Sequence, residues 1–338
     1  MKEPLTILIT GVGGYLGSVL VRKLLNETDY FIKGFDNFLY GEEPIKELDN
    51  PRLTIIKDDL RNMEAVIQAV EGVDVVIHLA AIVGDQACAL TPEVTQKINV
   101  GSTRFLAEQA KIAGVKQFLY ASTCSVYGAR PYIWIDEKSA IEPVSLYGET
   151  KRDCEELLAK MDDDDFIVTT FRMSTLFGLS PRMRFDLAIN VMTANAYKNG
   201  SLTLFGGDQW RPFLHVQDAA DGYLLAIENP VSGIFNLGSN FLNYNIKSIG
   251  SIIRRELPGT EVIIKEEGDR RDYKVNCDLV KKTFGFLTSK SVVDGVKETH
   301  DYLKERPNID ITSSDFSNFK YLASDDEMKD RIYRRGPI

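Results

Sequence analysis

Cysteines and long apolar runs are scarce in this sequence, and its 40 basic residues are outnumbered by 49 acidic ones. Only four of its 338 residues are cysteines, and they lack the close pairs of a metal site, so we expect free thiols and a reducing compartment. The net charge of −9 argues against non-specific binding to nucleic acid, and it means that any anionic ligand must be met by local cations. No apolar run approaches the ~20 residues of a membrane-spanning helix.

Other common sequence features are missing as well. Only Met1 to Pro4 precede the first apolar run, which leaves no room for a signal peptide. We find no internal repeat. The four adjacent carboxylates of Asp162–Asp165 do not converge on one ion, so we interpret them as a solvated loop and predict no metal. With ordinary hydrophobic (44%) and charged (26%) fractions, the sequence predicts a cytoplasmic globular protein with no membrane or nucleic-acid partner.

A glycine-rich turn follows the first apolar run. Leu5–Thr10 has the length and β-branched content of a buried strand, and Tyr15–Leu25 has apolar residues at helical spacing. Gly11, Gly14 and Gly17 therefore lie on a strand-to-helix turn, where the missing Cβ atoms let a diphosphate approach the helix N-terminus. Their spacing differs from the Gly-x-Gly-x-x-Gly of the ordinary dinucleotide fingerprint. The alternative is a tight turn that binds nothing.

Strand-like and helical segments alternate over the first half of the chain. This alternation predicts an α/β protein with a Rossmann-type, doubly wound parallel sheet, and ligands bind at the carboxyl ends of such strands. The predicted strands are 31–35, 53–57, 73–79, 117–122 and 167–172, and the predicted helices are 63–70, 93–113 and 146–161. We expect an NAD-binding domain over 1–174, a smaller mixed α/β substrate lobe over 175–306, and a C-terminal tail over 307–338 that is either a wrap-around arm or partly disordered.

An acidic residue at the end of the second strand indicates which dinucleotide binds. Asp36 lies 19 residues after Gly17, the offset at which a carboxylate accepts hydrogen bonds from the adenosine ribose. A carboxylate there repels a 2′-phosphate, and Asn37 rather than a cation follows it, so we predict NAD rather than NADP. Asp59 and Leu60 are placed to flank the adenine, although Asp59 could instead cap the next helix.

A tyrosine and a lysine one helical turn apart are the candidate catalytic pair. Tyr147 and Lys151 lie on one helix face, and Thr123 stands at the end of the fifth strand. A phenol has a reference pKa of ~10, which a nearby ammonium lowers, and a threonine hydroxyl can hold the same substrate hydroxyl. With fourteen tyrosines in the chain, such a pair is expected about once by chance, so its position after the glycine turn matters.

Taken together, these motifs resemble the extended short-chain dehydrogenases over residues 5–305. The order of Thr10 to Gly17, Asp36, Asp59-Leu60, His78 to Ala81, Asn99, Thr123 and Tyr147 to Lys151 is similar to the nucleotide-sugar epimerase/dehydratase branch, of the UDP-galactose 4-epimerase type. The resemblance implies that Tyr147 is the base, that Lys151 holds the nicotinamide ribose and that Thr123 orients the substrate. It implies further NAD contacts from Tyr15, Leu16, Leu79, Ala80, Ala81 and Asn99. It also implies a homodimer through the helices near 93–113 and 146–161.

The second lobe carries the expected contacts to a nucleotide-diphosphate sugar. Residues 209–218 resemble a family segment in which Arg211 grips the diphosphate, while His215 and Asp218 brace the following helix. The resemblance further assigns substrate contacts to Thr175, Leu204, Phe205 and Arg271. Arg182, Arg184 and Arg270 are additional loop cations that either meet the ligand or are solvated.

The residues after Thr123 bear on the reaction. Relatives that are 4,6-dehydratases carry Asp-Glu there, whereas this chain has Cys124 and Ser125. We therefore predict an NAD-dependent nucleotide-sugar epimerase that transiently oxidises C4. The alternative is a 4-dehydrogenase or 4-reductase acting on a nucleotide-linked heptose or deoxysugar, because residues 177–186 resemble such enzymes. A dehydratase or a non-catalytic NAD-binding regulator comes last.

Overall fold

A parallel sheet of seven strands forms the centre of the protein. The structure is a computed structural model that describes residues 3–266 and 271–324. The strands of the described residues are β1 (Thr6–Thr10), β2 (Phe31–Asp36), β3 (Leu53–Lys57), β4 (Val75–His78), β5 (Gln117–Thr123), β6 (Ala129–Ile135), β7 (Ile167–Met173), β8 (Thr175–Phe177), β9 (Ser201–Phe205), β10 (Trp210–His215), β11 (Gly233–Leu237), β12 (Asn243–Asn245), β13 (Glu261–Lys265) and β14 (Asp272–Val275). The central sheet has the order β11-β7-β5-β4-β1-β2-β3.

Helices cover both faces of this sheet. They are α1 (Gly17–Glu27), α2 (Met63–Val70), α3 (Asp85–Ala89), α4 (Pro92–Gln96), α5 (Ser102–Ile112), α6 (Leu146–Ala159), α7 (Ala188–Asn199), α8 (Val216–Glu228), α9 (Ile246–Glu256), α10 (Asp278–Phe284), α11 (Val292–Lys304) and α12 (Asn318–Ala323). The single helix predicted over 93–113 is wrong in detail, because a π-helical turn at Lys97–Gly101 separates α4 from α5. None of the described helices has both the length and the apolar content to cross a membrane.

Burial on both faces explains why β1 is central. Four of its five residues are buried, and it pairs in parallel with β2 on one side and β4 on the other. One apolar core joins the sheet to α1 and α8, with Leu20 and Tyr223 among its members. A second core joins the opposite face to α2, α5 and α6 through Val66, Leu106 and Leu158. The predicted doubly wound parallel sheet is therefore confirmed.

The second lobe consists of short sheets with a core of its own. β12, β10 and β8 form one sheet, β9 pairs with β13, and β6 pairs with β14. Phe213 and Ile249 pack in its core with residues of α7 and α11. The chain crosses between the lobes: β11 pairs with β7 in the central sheet, whereas β6 belongs to the second lobe. The boundary at residue 174 remains a prediction.

The C-terminal segment returns to the first lobe. Residues 307–324, which we call the C-terminal arm, end in α12, where the Tyr321 ring lies 5.3 Å from that of Tyr40. Leu322 packs with Ile82 and Cys88. Of the two possibilities predicted for the tail, the arm is thus observed for its first part. Residues 325–338, including Arg334 and Arg335, lie outside the described residues.

Candidate active site

Close approach of the backbone explains the glycines after β1. Gly11 has φ +76°, and a Cβ at Gly17 would lie 2.1 Å from the carbonyl oxygen of Gly11. Ser18 donates its amide to Gly14, which starts α1 over this tight turn. No side chain caps the N-terminus of α1, and its first turn contains no acidic residue. The partial positive charge of the helix end therefore faces the cavity described below.

Asp36 shapes the loop after β2 and also faces this cavity. Its carboxylate oxygens accept the amides of Gly13 at 2.9 Å and Phe38 at 2.8 Å. Burial raises the pKa of Asp36, although these backbone hydrogen bonds oppose the shift. Each carboxylate oxygen has a second lone pair, so the group can still accept hydrogen bonds from a ribose.

The residues after β3 lie beside Asp36. Asn37 donates to Asp59 at 3.1 Å, and Arg61 forms an ion pair with the same carboxylate. Burial opposes ionisation of Asp59, but the hydrogen bonds from Arg61 outweigh it and lower the pKa. The alternative in which Asp59 caps α2 is wrong, because Asn62 is the cap and its side chain accepts the amide of Ala65.

Thr123, Tyr147 and Lys151 meet where β5 ends and α6 begins. Ser145 caps α6, which places Tyr147 in its first turn and Lys151 one turn later. The Lys151 Nζ atom donates to the carbonyl of Ala121 at 2.6 Å, and it lies 6.0 Å from the centre of the Tyr147 ring. Thr123 and Tyr147 line the same cavity, and the Thr123 hydroxyl acts to lower the pKa of the Tyr147 phenol. The three residues predicted to carry out the reaction therefore lie together in the structure.

Burial dominates the acid–base properties of this group. It raises the pKa of Tyr147 well above its usual range, and the Thr123 hydroxyl acts in the opposite direction. Burial also lowers the pKa of Lys151 to about 8. At neutral pH the lysine is still mostly protonated, so its charge favours the phenolate form of Tyr147. The lowered tyrosine pKa predicted from the nearby ammonium is therefore opposed by the cost of burying the phenolate.

One cavity of about 330 Å³ connects the glycine turn, Asp36 and the catalytic group. It runs along the carboxyl ends of the central strands, as expected for an open parallel sheet. The predicted site residues in its lining are Gly11, Gly14, Tyr15, Leu16, Gly17, Asp36, Asn37, Asp59, Leu60, Leu79, Ala80, Ala81, Thr123, Tyr147, Lys151, Thr175 and Arg271.

One predicted cofactor contact of the first lobe, Asn99, does not line the cavity. Asn99 is buried behind the cavity lining, where its amide exchanges hydrogen bonds with the backbone of Ile82 at 2.8 and 2.9 Å. It therefore holds the loop after β4 and does not face the cavity. His78 is buried as well, between the hydroxyls of Thr10 and Thr103.

Three predicted substrate contacts of the second lobe are also absent from the lining. Leu204 is only 1% exposed because it packs in the core of that lobe, and Phe205 is 52% exposed at the end of β9. Arg211 is buried behind Tyr273, with its guanidinium 5.4 Å from the ring centre. His215 caps α8 and Asp218 binds the backbone of Ser289, as expected. Arg270 lies outside the described residues.

The cavity also has contacts that the sequence analysis missed or left open. Arg182, one of the loop cations, lies over the Tyr40 ring at 4.1 Å and donates to Asn318 at 2.7 Å. All three residues line the cavity. The proline and arginines of residues 181–184 were a visible signal for Arg182. Asn318 had none, because it lies 136 residues further along the chain.

Residues 7–238 match the sequence profile of the NAD dependent epimerase/dehydratase family. The chain belongs to this family. A relative from Bacillus subtilis (strain 168) named "Uncharacterized UDP-glucose epimerase YtcB" is 31% identical over 316 residues, which cover 88% of this chain and 97% of the relative. The UDP-glucuronate 4-epimerase of Thermodesulfobacterium geofontis is 27% identical over 328 residues, or 91% and 98% of the two chains.

A solved structure of the epimerase/dehydratase family supports the same architecture. The UDP-glucuronic acid 4-epimerase from Bacillus cereus, in complex with UDP-glucuronic acid and NAD, is 26% identical and has a TM-score of 0.78. The match covers 89% of this chain and all of the other. The fold of the two lobes is therefore that of the epimerase/dehydratase enzymes.

The residues of the cavity fit the NAD that this family requires, and membership confirms the predicted cofactor. Gly17 has no room for a Cβ in the tight turn, and the uncapped N-terminus of α1 lies at the cavity, where its amides can bind a diphosphate. Two buried polar atoms in the same lining, Tyr40 Oη and Arg182 Nε, have no hydrogen-bond partner within the described residues. Buried polar atoms without partners are rare in native proteins, and a polar ligand would satisfy them.

Proposed function

We propose that the protein is an NAD-dependent nucleotide-sugar epimerase that inverts C4 by transient oxidation. The proposal rests on one observation. Thr123, Tyr147 and Lys151 line the same cavity, and the carboxylates of that lining follow β2 and β3 instead of lying beside these three residues. The epimerase relatives reported above support the same reaction class. The prediction that the ligand is a nucleotide-diphosphate sugar follows from the same relatives.

Tyr147 performs the proton transfer in this proposal. NAD, when bound, supplies the acceptor and then the donor of the hydride. The phenolate of Tyr147 accepts the proton of the C4 hydroxyl as that carbon is oxidised to a ketone, and it returns the proton when C4 is reduced from the opposite face. The Thr123 hydroxyl, which lines the same cavity as the phenol, holds the C4 oxygen in reach of it.

Lys151 stabilises the ionised form of the tyrosine. Its hydrogen bond to Ala121 fixes the ammonium between β5 and α6, so the charge is placed before substrate arrives. This preorganised charge favours the phenolate without a reorganisation during the reaction. Because the pKa of Lys151 is about 8, the charge is lost as the pH rises through that value.

Among the described residues, no carboxylate beside Thr123 lines the cavity, and this separates epimerisation from dehydration. The carboxylates that line the cavity are Asp36, Asp58 and Asp59, which follow β2 and β3. In the sheet order β5-β4-β1-β2, the ends of β5 and β2 are separated by three strand spacings, or about 14 Å. Cys124 does not replace a carboxylate, because burial raises the pKa of its thiol to about 12.

The experiment combines product stereochemistry with Tyr147→Phe. We expect UDP-, GDP-, CDP- or dTDP-sugars to yield the C4 epimer without net absorbance change at 340 nm. We expect Tyr147→Phe to reduce kcat by about 10²- to 10⁴-fold, the usual contribution of a general acid–base residue. Tyr197→Phe is the matched control, since Tyr197 lies on α7 outside the cavity lining. An accumulating ketosugar, or full activity of Tyr147→Phe, would contradict the proposal.

We also infer that the protein is a cytoplasmic homodimer. Four buried free cysteines support a reducing compartment. The predicted interface through α5 and α6 is supported by Ile112, which is exposed on α5. Analytical ultracentrifugation of the wild type and Ile112→Glu tests the dimer, and a monomer in both would contradict it.

A further inference from the structure

A buried arginine joins three separate parts of the chain at the cavity. Arg182 is only 6% exposed and comes from the loop after β8. Its guanidinium lies 4.1 Å from the ring centre of Tyr40, which belongs to the loop after β2. Its Nη2 atom donates to Oδ1 of Asn318 in the C-terminal arm at 2.7 Å. Neither Tyr40 nor Asn318 neutralises the positive charge.

Arg182 retains an unsatisfied donor within this arrangement. Its Nε atom has no hydrogen-bond partner among the described residues, and neither does the buried Tyr40 hydroxyl beside it. No carboxylate of the described chain forms an ion pair with Arg182. Burial and then the nearby Arg184 lower the pKa of Arg182 to about 10, so it remains a cation at neutral pH. Asp186 and Asp36 act on the Arg182 charge without forming an ion pair with it. A buried cation without a directly paired anion is costly, and a bound anion offsets that cost.

The loop that carries Arg182 is held against the glycine turn. The Tyr15 hydroxyl donates to the carbonyl of Gly178 at 2.5 Å, and Ser180 donates to the carbonyl of Tyr15 at 2.7 Å. Ser180 also lies 3.3 Å from Ser18 in the first turn of α1 and accepts the amide of Arg182. The loop that carries the cation is thereby fixed at the uncapped N-terminus of α1, and Arg182 lines the same cavity as Gly17.

We propose that Arg182 binds the diphosphate of NAD and that the C-terminal arm, through Asn318, completes this binding site. The guanidinium and the amide groups of α1 supply the two kinds of donor that a diphosphate accepts. Tyr40 follows Asp36, which marks this end of the cavity as the adenosine side, so the diphosphate of the cofactor is favoured over that of the sugar nucleotide. Asn318 is a positioning residue that sets the plane of the guanidinium.

The proposal rests on the NAD requirement of the family and not on the epimerase reaction. Its test therefore uses binding to the full-length protein, freed of bound nucleotide, with no sugar present. Isothermal titration calorimetry compares NAD, ADP-ribose and adenosine as ligands, and UDP is titrated separately as a probe of the sugar-nucleotide site. Tyr147→Phe is included because loss of catalysis there, with unchanged ADP-ribose affinity, separates failure of the reaction from failure of this site.

We expect Arg182→Gln to weaken NAD and ADP-ribose by about 10- to 100-fold, since it removes one charge-assisted interaction. Adenosine, which has no phosphate, should bind within twofold of its wild-type affinity. Arg254→Gln makes the same chemical change on the exposed face of α9 and should alter none of the three. Arg182→Lys keeps the charge but lacks the forked donors of the guanidinium. It replaces the glutamine variant if that variant is unstable, and we expect its affinity for NAD and ADP-ribose to lie between those of the wild type and Arg182→Gln.

The arm is tested by Asn318→Ala, for which we expect an ADP-ribose affinity about 3- to 10-fold weaker. The control is Asn308→Ala, in an exposed part of the same arm. Unchanged ADP-ribose affinity in both Arg182 variants would overturn the proposal. Equal losses for adenosine and ADP-ribose would overturn it too, since they would show a structural role. Weaker binding of UDP with unchanged ADP-ribose would assign Arg182 to the sugar nucleotide instead.

Discussion

The two sides of the cavity are built in different ways. What we call the sheet wall consists of the glycine turn, the loops after β2 and β4, the end of β5 and the start of α6. The loop wall consists of residues 178–187 and the C-terminal arm. Residues of the sheet wall follow directly from strands with fixed register, whereas those of the loop wall are held by long-range side-chain contacts such as Arg182 with Asn318. The sheet wall is therefore part of the global fold, and we expect the C-terminal arm of the loop wall to open more readily than the sheet wall.

The largest effect is expected from a methyl group in the sheet wall. In Gly17→Ala the new Cβ would lie 2.1 Å from the backbone oxygen of Gly11, which cannot move without displacing the turn. We expect a loss of at least about 3 kcal/mol in the free energy of unfolding and at least a ~100-fold loss in NAD affinity. Urea denaturation and calorimetry measure the two quantities.

Gly101→Ala is the matched control, because no atom lies within 4 Å of its added Cβ and its φ is −60°. We expect it to be neutral or to stabilise the helix by up to about 1 kcal/mol. If Gly17→Ala bound NAD as tightly as Gly101→Ala, the glycine turn would be able to accommodate the extra methyl group. The sheet wall would then be less rigid than proposed.

A second effect concerns the buried lysine of the sheet wall. Burial lowers the pKa of Lys151 to about 8 in the folded protein, against ~10.4 in the unfolded chain. Between these values the unfolded state binds more protons, so stability rises with pH. We expect the wild type to gain up to about 3 kcal/mol relative to Lys151→Met from pH 8 to pH 10.5.

The quantity to measure is the difference in unfolding free energy between the wild type and Lys151→Met from pH 8 to pH 10.5. Using the difference removes the constant cost of leaving the Ala121 carbonyl without its donor. Lys247→Met, at an exposed ion pair with Asp208, should show no such trend. A flat difference for Lys151→Met would show that the ammonium is better solvated than its burial implies.

The smallest global effect is expected in the loop wall. Leu322 of the C-terminal arm packs with Ile82 and Cys88, and Leu322→Ala removes these contacts. Because the arm contributes no strand to the central sheet, we expect it to detach at a cost of about 2 kcal/mol while that sheet stays folded. Hydrogen exchange should become faster in residues 312–324 and stay unchanged in β1 and β5.

Leu287→Ala, at an exposed position outside the arm, is the control for this experiment. An equal loss of protection in β5 would show that the arm and the sheet unfold together. The distinction between the two walls would then fail.

The difference between the sheet wall and the loop wall also explains which parts of the site could be predicted. Thr123, Asp36 and Gly17 follow recognisable strands, so local periodicity placed them at the correct edge of the sheet. Asn99 lies on a π-helical turn, which periodicity does not reveal, and that turn directs its side chain to Ile82.

Residues of the second lobe show the limit of local patterns more clearly. Leu204 and Phe205 alternate along β9, and the pairing of that strand with β13 decides which side chain enters the core. Asn318 reaches the cavity through tertiary packing alone. No local pattern in the C-terminal arm indicates that it contacts residues near position 40.

The late position of the arm in the sequence has a consequence for folding during synthesis. The glycine turn, Asp36 and Tyr40 leave the ribosome early, whereas Asn318 follows Arg182 by 136 residues. At about 5–20 residues per second, Arg182 waits roughly 7–27 s for its partner. The nascent chain therefore acquires most of its central sheet before Arg182 can meet Asn318. If Asn318 completes the cofactor site as proposed, NAD is retained only after this arm has been synthesised.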